Sequence, residues 1–437
     1  MAKKKFYVTT PIYYANAAPH IGSAYTTIAA DILARWHKLL GEDVYFLTGT
    51  DEHGLKIQRT AQAAGKNPKE FVDEIAEKFK KAWQALNIHY NYFIRTTDKD
   101  HEKDVQTILQ ELFDKKLIYK GYYEAYYCVG CEQYLTKSEL IDGKCPIHKI
   151  EPEIKKEEAY LFKLSAFQKK ILSLIQTNKL EILPKNRKNE IINFVKEGLQ
   201  DISFSRKKSE VPWGIELPFN KEHTAYVWVD ALWNYITGLR DKKIFEKFWP
   251  ADIQLMGNTI NPVILADKYG SDSIRYFLMR NIPFGEDGDF SEQALAYRHN
   301  NELANKLGNL ISRVSALAEK YGLEKSDSSL DIKQTKEKFE KSIENYEFDK
   351  ALNEVFAFID KCNEYIQNKK PWETQNKKVL YELADAIKDF TILLSPFIPE
   401  TAEKIAKIFN FQVSYKEINK PLKIKSIKKS DILFKKV

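Results

Sequence analysis

Between Lys5 and Thr10 the chain reads KFYVTT, a short run of aromatic and β-branched residues that predicts a buried strand. A loop rich in Pro, Asn and Ala follows, and then a helix is expected from about Ile21 to Leu40, stopping at Gly41. Val44 to Thr48 (VYFLT) is the next expected strand. Strand, helix and strand at this spacing make a right-handed βαβ unit, the opening of a doubly wound parallel sheet, in which ligands bind beyond the carboxyl ends of the strands. Those ends carry PIYYANAAPHIG and GTDEHG, so both loops should face one crevice. Residues from about Phe71 to Lys116 are helical by pattern, and from Leu117 the tyrosine-dense YKGYYEAYYCVGC changes character. Thr224 to Asp230 (TAYVWVD) and Ile253 to Met256 return to strand-like form and are expected in the first sheet. After Ser291 the pattern is helical: Phe348, Leu352, Val355, Ile359, Cys362 and Ile366 fall on one face of one helix, and a second runs from Val379 to Leu394, ending at Ser395–Pro396.

The expected organisation is α/β: a doubly wound parallel nucleotide-binding sheet split by an insertion that carries a zinc knuckle, followed by an all-α helical bundle. Residues 1–117 are the first half of the nucleotide-binding domain and 118–222 the insertion. Residues 223–290 are the second half with a linker, and 291–437 the helical domain.

Composition changes this picture little. At 437 residues and 43% hydrophobic the chain can bury a full core, and a formal charge of +7 is compatible with a polyanionic partner or with a solvated lysine-rich surface. The start MAKKKFYVTTPIYY has no apolar signal region, and no stretch approaches the ~20 apolar residues of a membrane span, so a cytoplasmic protein without membrane contact is expected. Three of the four cysteines lie close together, which suits a metal and not a disulfide framework.

That cluster is the most specific signal. Cys128-x2-Cys131 and Cys145-x2-His148 place paired ligands on two turns, the spacing that lets three thiolates and one imidazole meet a tetrahedral Zn²⁺. Four protein ligands close the site, so the metal should be structural. Pro19, His20 and Gly22 sit where a strand-end loop meets a helix N-terminus, a place that favours phosphate, and the histidine could equally cap the turn. Asp51 ends the second strand and faces the crevice, or caps the turn that follows.

The strings VTTPIYYANAAPHIG and TGTDEHG resemble the amino-acid activation site of class I aminoacyl-tRNA synthetases, specifically the methionyl-tRNA synthetases. YCVGCEQ, CPIH, VPWGIELP, YVWVDALWNY, DKYGSDSIRYFL and NKKPWE extend the resemblance over nearly the whole chain in the family's order. It implies that methionine and ATP give methionyl adenylate, with Mg²⁺ accompanying ATP, and that the acyl group passes to the terminal ribose of tRNA(Met). It gives His20 the catalytic role, and ATP phosphates to Pro19, His20, Gly22 and Ser23, the last standing where the family usually has a second histidine. Asp51 would pair with the substrate ammonium, while Ile12, Tyr14, Trp228, Ala231, Leu232 and Tyr235 would enclose the thioether; by residue type alone, the aromatic ones read as ordinary core. Asn305, Asn309, Arg313, Pro371 and Trp372 match positions that read the anticodon, although Asn and Arg at helical spacing also suit a solvated face. The chain ends soon after the bundle, without the dimerising domain of some relatives, and a monomer is expected.

The resemblance breaks after Leu255-Met256-Gly257. The family continues there through a helix, a strand and a mobile Lys-Met-Ser-Lys-Ser loop, whereas this sequence passes to NTINPVILADKYG. Several dozen residues are absent, among them lysines that neutralise phosphate charge and side chains that close the far wall of the methionine pocket. Ser205-Arg206-Lys207-Lys208-Ser209 and Lys423-Ile424-Lys425-Ser426 are not substitutes by position. The implied function is therefore a methionine–tRNA ligase, with a catalytically impaired or inactive tRNA-binding relative as the alternative. A synthetase for cysteine would need a zinc ion in the substrate pocket, whereas the cysteines here cluster in the insertion.

Overall fold

A computed structural model of the chain describes residues 3–128, 133–135, 140–256, 266–285, 290–327, 329–423 and 426–437. Lys5–Thr9 (β1), Tyr13–Tyr14 (β2), Asp43–Asp51 (β3) and Tyr92–Arg95 (β4) form the first parallel sheet. β1 pairs with β3 from Lys5↔Asp43 to Thr9↔Leu47, and after a break at Pro11 the β2 strand continues along the same edge as Tyr13↔Thr50 and Tyr14↔Asp51. β4 takes the other edge, from Leu47↔Tyr92 to Thr50↔Arg95. That approach requires Gly49, because a Cβ there would lie 2.0 Å from the Ile94 carbonyl oxygen. The helix Ile21–Leu39 makes the crossover, as its spacing predicts.

The expectation of continuous helix from Phe71 to Lys116 is corrected: helices Pro68–Ala85 and Lys99–Asp114 flank β4. The chain turns out of the first helix at Leu86, and Asn87 takes a left-handed φ of 53°. β5 (Ile118–Cys128), β6 (Gln133–Leu135), β7 (Glu153–Phe162) and β8 (Ile202–Ser203) then form an antiparallel sheet in the order β6–β5–β7–β8.

β9 (Ser205–Lys207), β10 (Glu216–Leu217) and β11 (Asn220–Ala225) make a third sheet, also antiparallel. This corrects the expected strand at Thr224 to Asp230. β11 stops at Ala225, belongs to a different sheet, and is followed by the helix Val227–Leu232. In a strand Trp228 and Asp230 would point the same way. The helix buries Val229, Asp230 and Ala231 and leaves Trp228 and Leu232, one turn apart, on the outside.

β12 (Ile253–Gln254) returns to the first sheet, parallel to β1 through Val8↔Ile253 and Thr9↔Gln254. The strand order across that sheet is thus β4–β3–β1–β12, and the order reverses between β1 and β12. The crevice outside the carboxyl ends there is the usual ligand position of such folds.

The last part is helical, with a π-helical stretch at His299–Gly308 inside a run from Glu292 to Tyr321, and long helices Phe348–Lys369 and Lys377–Leu394. It shares one apolar core with the first sheet. A fully buried pair fastens the two parts: Arg275 lies 2.7 Å from Asp31 of the crossover helix and donates to the carbonyls of Pro396 and Phe397. Among the described residues no helix is long and apolar enough to cross a membrane.

Candidate active site and metal centre

His20 caps the crossover helix. Its Nδ1 accepts from the Ser23 N–H at 3.3 Å, while the Ser23 hydroxyl accepts from the His20 N–H and donates to the His20 carbonyl. Accepting at Nδ1 places the imidazole proton on Nε2, the tautomer that donates outward. Ser23 is buried, and its hydroxyl serves the cap and so shapes the helix terminus. The first turn of this 19-residue helix carries no acidic residue, and Gly22 and Ser23 lie in it, with Pro19 just ahead. Such a terminus attracts phosphate through its unpaired N–H groups and dipole.

Asp51 stands at the carboxyl end of β3 and is only 6% exposed, and among the described residues its Oδ1 has no hydrogen-bond donor. Burial and the negative charge of Asp230 push its carboxyl well above the ordinary range. Asp230, fully buried on the Val227–Leu232 helix, gives Oδ2 to His53 Nδ1 at 2.8 Å and leaves Oδ1 without a donor. Burial lifts its carboxyl too, against the pull of His53. The neighbouring Glu52 is satisfied instead: Arg95 grips both of its oxygens at 2.7 and 2.9 Å, and Thr50 and Thr97 donate to it. Trp213 joins the loop, its indole N–H donating to the Glu52 carbonyl and its own carbonyl accepting from Gly54. A buried carboxylate with an unmet oxygen has the chemistry to receive a cation. Asp230 and His53 lie inside strings already recognised, VWVDA and GTDEHG, but no spacing rule pairs residues 177 positions apart.

Tyr14 and Asp51 face each other across the β2–β3 pair, and burial with the Asp51 charge raises the Tyr14 phenol to about 12. Ile12 packs against the cluster of Tyr7, Leu47 and Ile94. Ala231 and Tyr235 are buried, while Trp228 is 61% and Leu232 52% exposed.

In the insertion, Asp142 and Gly143 take φ of 52° and 74° between the bridged Ile141 and Lys144, a tight hairpin that leads into Cys145. Cys128 Sγ and Cys145 Sγ lie 3.8 and 4.0 Å from His148 Nδ1, and the three ligand atoms fall within 4.8 Å of one another. A tetrahedral zinc with ordinary bond lengths separates sulfur and nitrogen ligands by about 3.6 Å, so these residues fit the ion. Cys131, the fourth expected ligand, lies outside the described residues.

Asn305, Asn309 and Arg313 rise along one helical run at four-residue spacing. The Arg313 guanidinium donates to Asn363 Oδ1 at 2.8 Å, while its Nε is buried without an acceptor. Asn363 belongs to the Phe348–Lys369 helix, at whose end Lys370 turns left-handed and Pro371 opens the short helix carrying Trp372. Pro371 is buried and Trp372 partly exposed.

Residues 6–151, 136–257 and 254–315 match the family described as tRNA synthetases class I (M), and residues 331–434 match the anticodon-binding domain of tRNA ligases. The methionine–tRNA ligase of Caldanaerobacter subterraneus subsp. tengcongensis is 42% identical over 471 positions, covering 92% of this chain and 73% of that protein. The methionine–tRNA ligase of Clostridium perfringens is 38% identical over 509 positions, covering all of this 437-residue chain and 79% of its own length, so the match includes stretches that this chain lacks. A solved structure of Mycobacterium tuberculosis methionyl-tRNA synthetase in complex with methionyl-adenylate has a TM-score of 0.90 at 31% identity, with 99% of each chain covered. The apo form of the same synthetase gives a TM-score of 0.84 at 30% identity, covering 100% of this chain and 99% of its own. The chain belongs to the methionine–tRNA ligases of the class I tRNA synthetase family.

Proposed function

We propose that this chain binds methionine through Asp51, binds ATP at the His20-capped helix terminus, forms methionyl adenylate and passes the acyl group to the terminal ribose of tRNA(Met). The observation that carries the reading is the buried Asp51 oxygen at the end of β3, without a donor among the described residues. The methionine carboxylate attacks the ATP α-phosphorus and pyrophosphate leaves; the ribose hydroxyl then attacks the acyl carbon and AMP leaves. His20 Nε2–H and the helix N–H groups oppose the charge that grows on the phosphates, a stabilising and positioning role. Mg²⁺ arriving with ATP supplies further neutralisation. Tyr14, Trp228, Leu232 and Tyr235 take the thioether, sulfur against aromatic edges contributing about 0.3–1.5 kcal/mol. A structural Zn²⁺ held by Cys128, Cys131, Cys145 and His148 shapes the insertion. Asn305, Asn309, Arg313, Pro371 and Trp372 meet the anticodon, and the protein acts as a monomer.

The sequence lacks the family's loop lysines, and each lost cationic contact made only in the transition state lowers turnover by roughly 10²–10³-fold. The test is methionine-dependent ATP–pyrophosphate exchange with Asp51→Ala as control. Slow exchange that the variant abolishes supports the ligase reading. The second reading, a tRNA-binding relative without adenylation, is favoured by the exposed Trp228 and Leu232, and gains from a tRNA gel shift by zinc-loaded protein that gives no exchange.

A further inference from the structure

The ammonium site carries more negative charge than one ammonium needs. Asp51 and Asp230 are both buried, interact electrostatically, and each keeps an Oδ1 atom with no donor. The loop after β3 meets the Val227–Leu232 helix at Gly54, where a Cβ would lie 3.3 Å from the Tyr14 hydroxyl and 3.6 Å from Val227 Cβ; two ionised carboxylates buried there repel each other, and one bound proton relieves that. Among the described residues, Asp230 is the member of the pair with a cation behind it. His53 donates from Nδ1 to Asp230 Oδ2 at 2.8 Å, and its Nε2 lies 3.8 Å from Glu102 Oε1 on the Lys99–Asp114 helix. The ring is fixed from the side by Trp213, with centroids 5.5 Å apart.

We propose that Asp230, held by His53, is a positioning residue for the substrate ammonium, and that Asp51 and Asp230 share a proton in the substrate-free protein which leaves to solvent as methionine binds. This rests on the reading of Asp51 as the ammonium ligand. The balance is simple: a proton departs from the carboxyl pair, the ammonium keeps its own charge, and the second carboxylate becomes ionised against it.

The surrounding groups support this assignment. Asp51 is faced by Asp230, by Glu52 with its Arg95 partner, by the His53 backbone N–H and by the Tyr14 phenol, which stays protonated. Asp230 is faced by Asp51, by His53 and by Glu102. His53 is lowered by burial but raised more by Asp230, Glu102 and Glu52, so it carries its charge above the ordinary histidine range. Next to it His101, depressed to about 3 by burial and by the His53 charge, stays neutral while donating to or accepting from Thr237. The groups left to exchange the proton are therefore Asp51 and Asp230.

The experiment is calorimetric titration of the full chain with methionine alone, in buffers of different ionisation enthalpy, from pH 5 to pH 9. The slope of observed heat against buffer enthalpy counts protons released. We expect a release rising towards one per methionine below a midpoint, with affinity falling about tenfold per pH unit there. Asp230→Asn should move the midpoint of release down while methionine still binds, because the repulsion on Asp51 is removed and only its burial remains. His53→Gln, which keeps a donor but removes the charge, should move the midpoint up by about a pH unit or more. A merely structural role would weaken binding without changing the proton count or the midpoint. Methionine binding with no release at any pH, or the same release and midpoint in both variants, overturns the proposal. Binding that survives Asp51→Ala unchanged, or no binding by folded parent protein, instead overturns the ammonium assignment beneath it.

Discussion

Replacing Asp51 by asparagine should make the folded protein more stable at high pH and a poorer methionine binder at the same time. The carboxyl is held well above its ordinary range by burial and by Asp230. Its folded value therefore exceeds its unfolded value near 3.8. In that window the folded chain binds more protons than the unfolded chain, so stability falls as pH rises, by about 1.4 kcal/mol for each unit of the shift. The loss is complete above the folded value. Asparagine does not titrate, so the variant escapes it. The gain in unfolding temperature should be largest at pH 8, shrink as the pH is lowered, and vanish below about pH 4. A buried amide has its own unmet hydrogen bonds, a pH-independent cost of about 1–3 kcal/mol, so the slope of the difference with pH is the quantity to read. On the binding side, a charge-assisted bond to the ammonium is lost, about 1.5–3 kcal/mol, or roughly 10–150-fold in Kd. Thermal unfolding at several pH values and calorimetry with methionine measure both. A stability difference that does not change between pH 4 and pH 8, or an unchanged Kd, refutes the reasoning.

Other outcomes follow from the same geometry. Cys145→Ser should abolish bound zinc, measured by elemental analysis of the purified protein, and leave the insertion sensitive to protease; metal retained at the parent's level would remove the ion from that site. Trp372→Ala should weaken tRNA binding by about 1–3 kcal/mol in a filter assay while methionine affinity stays constant, and equal affinity for tRNA would place the anticodon elsewhere. Arg275→Met removes one of the two guanidiniums on buried Asp31, leaving Arg35 at 2.7 Å, and should cost about 1.5–3 kcal/mol, read as a lower urea midpoint.

The parts of this fold that were legible in the sequence are those whose signal is local. β1, the crossover helix and β3 show as apolar runs punctuated by Pro and Gly, and the cluster of Cys128, Cys145 and His148 shows as spacing. β4 is four residues between two helices, too short to interrupt a helical pattern. The run Tyr226 to Val229 has neither a clear period of two nor one of 3.6, and what decides it is tertiary: the segment must turn Asp230 inward to His53. A buried charge cannot be told from a surface charge without its partner.

On the proposed reading of Asp51, the retention of an ammonium site while a catalytic loop is missing from the sequence can be argued from where each is built. Asp51, Asp230, His53, Tyr14 and the Trp213 brace come from β2, β3 and the loop after it, the Val227–Leu232 helix and the segment before β10, all upstream of β12 in the chain. Their interactions act alike on bound substrate and on the transition state, and so govern affinity. The absent lysines would act on charge that develops only as the α-phosphate is attacked, and so govern turnover. On the proposed reading, the exposed Trp228 and Leu232 mark the boundary, with one wall of the thioether pocket kept and the other open to solvent. Methionine affinity should therefore fall by the hydrophobic share of that wall, about 25 cal/mol for each Å² left wet, while the ammonium selectivity of the site is untouched. A chain that binds methionine and rejects its deaminated analogue, yet exchanges pyrophosphate slowly, is the outcome this division requires; one that binds both alike would mean that Asp51 and Asp230 are not facing the substrate.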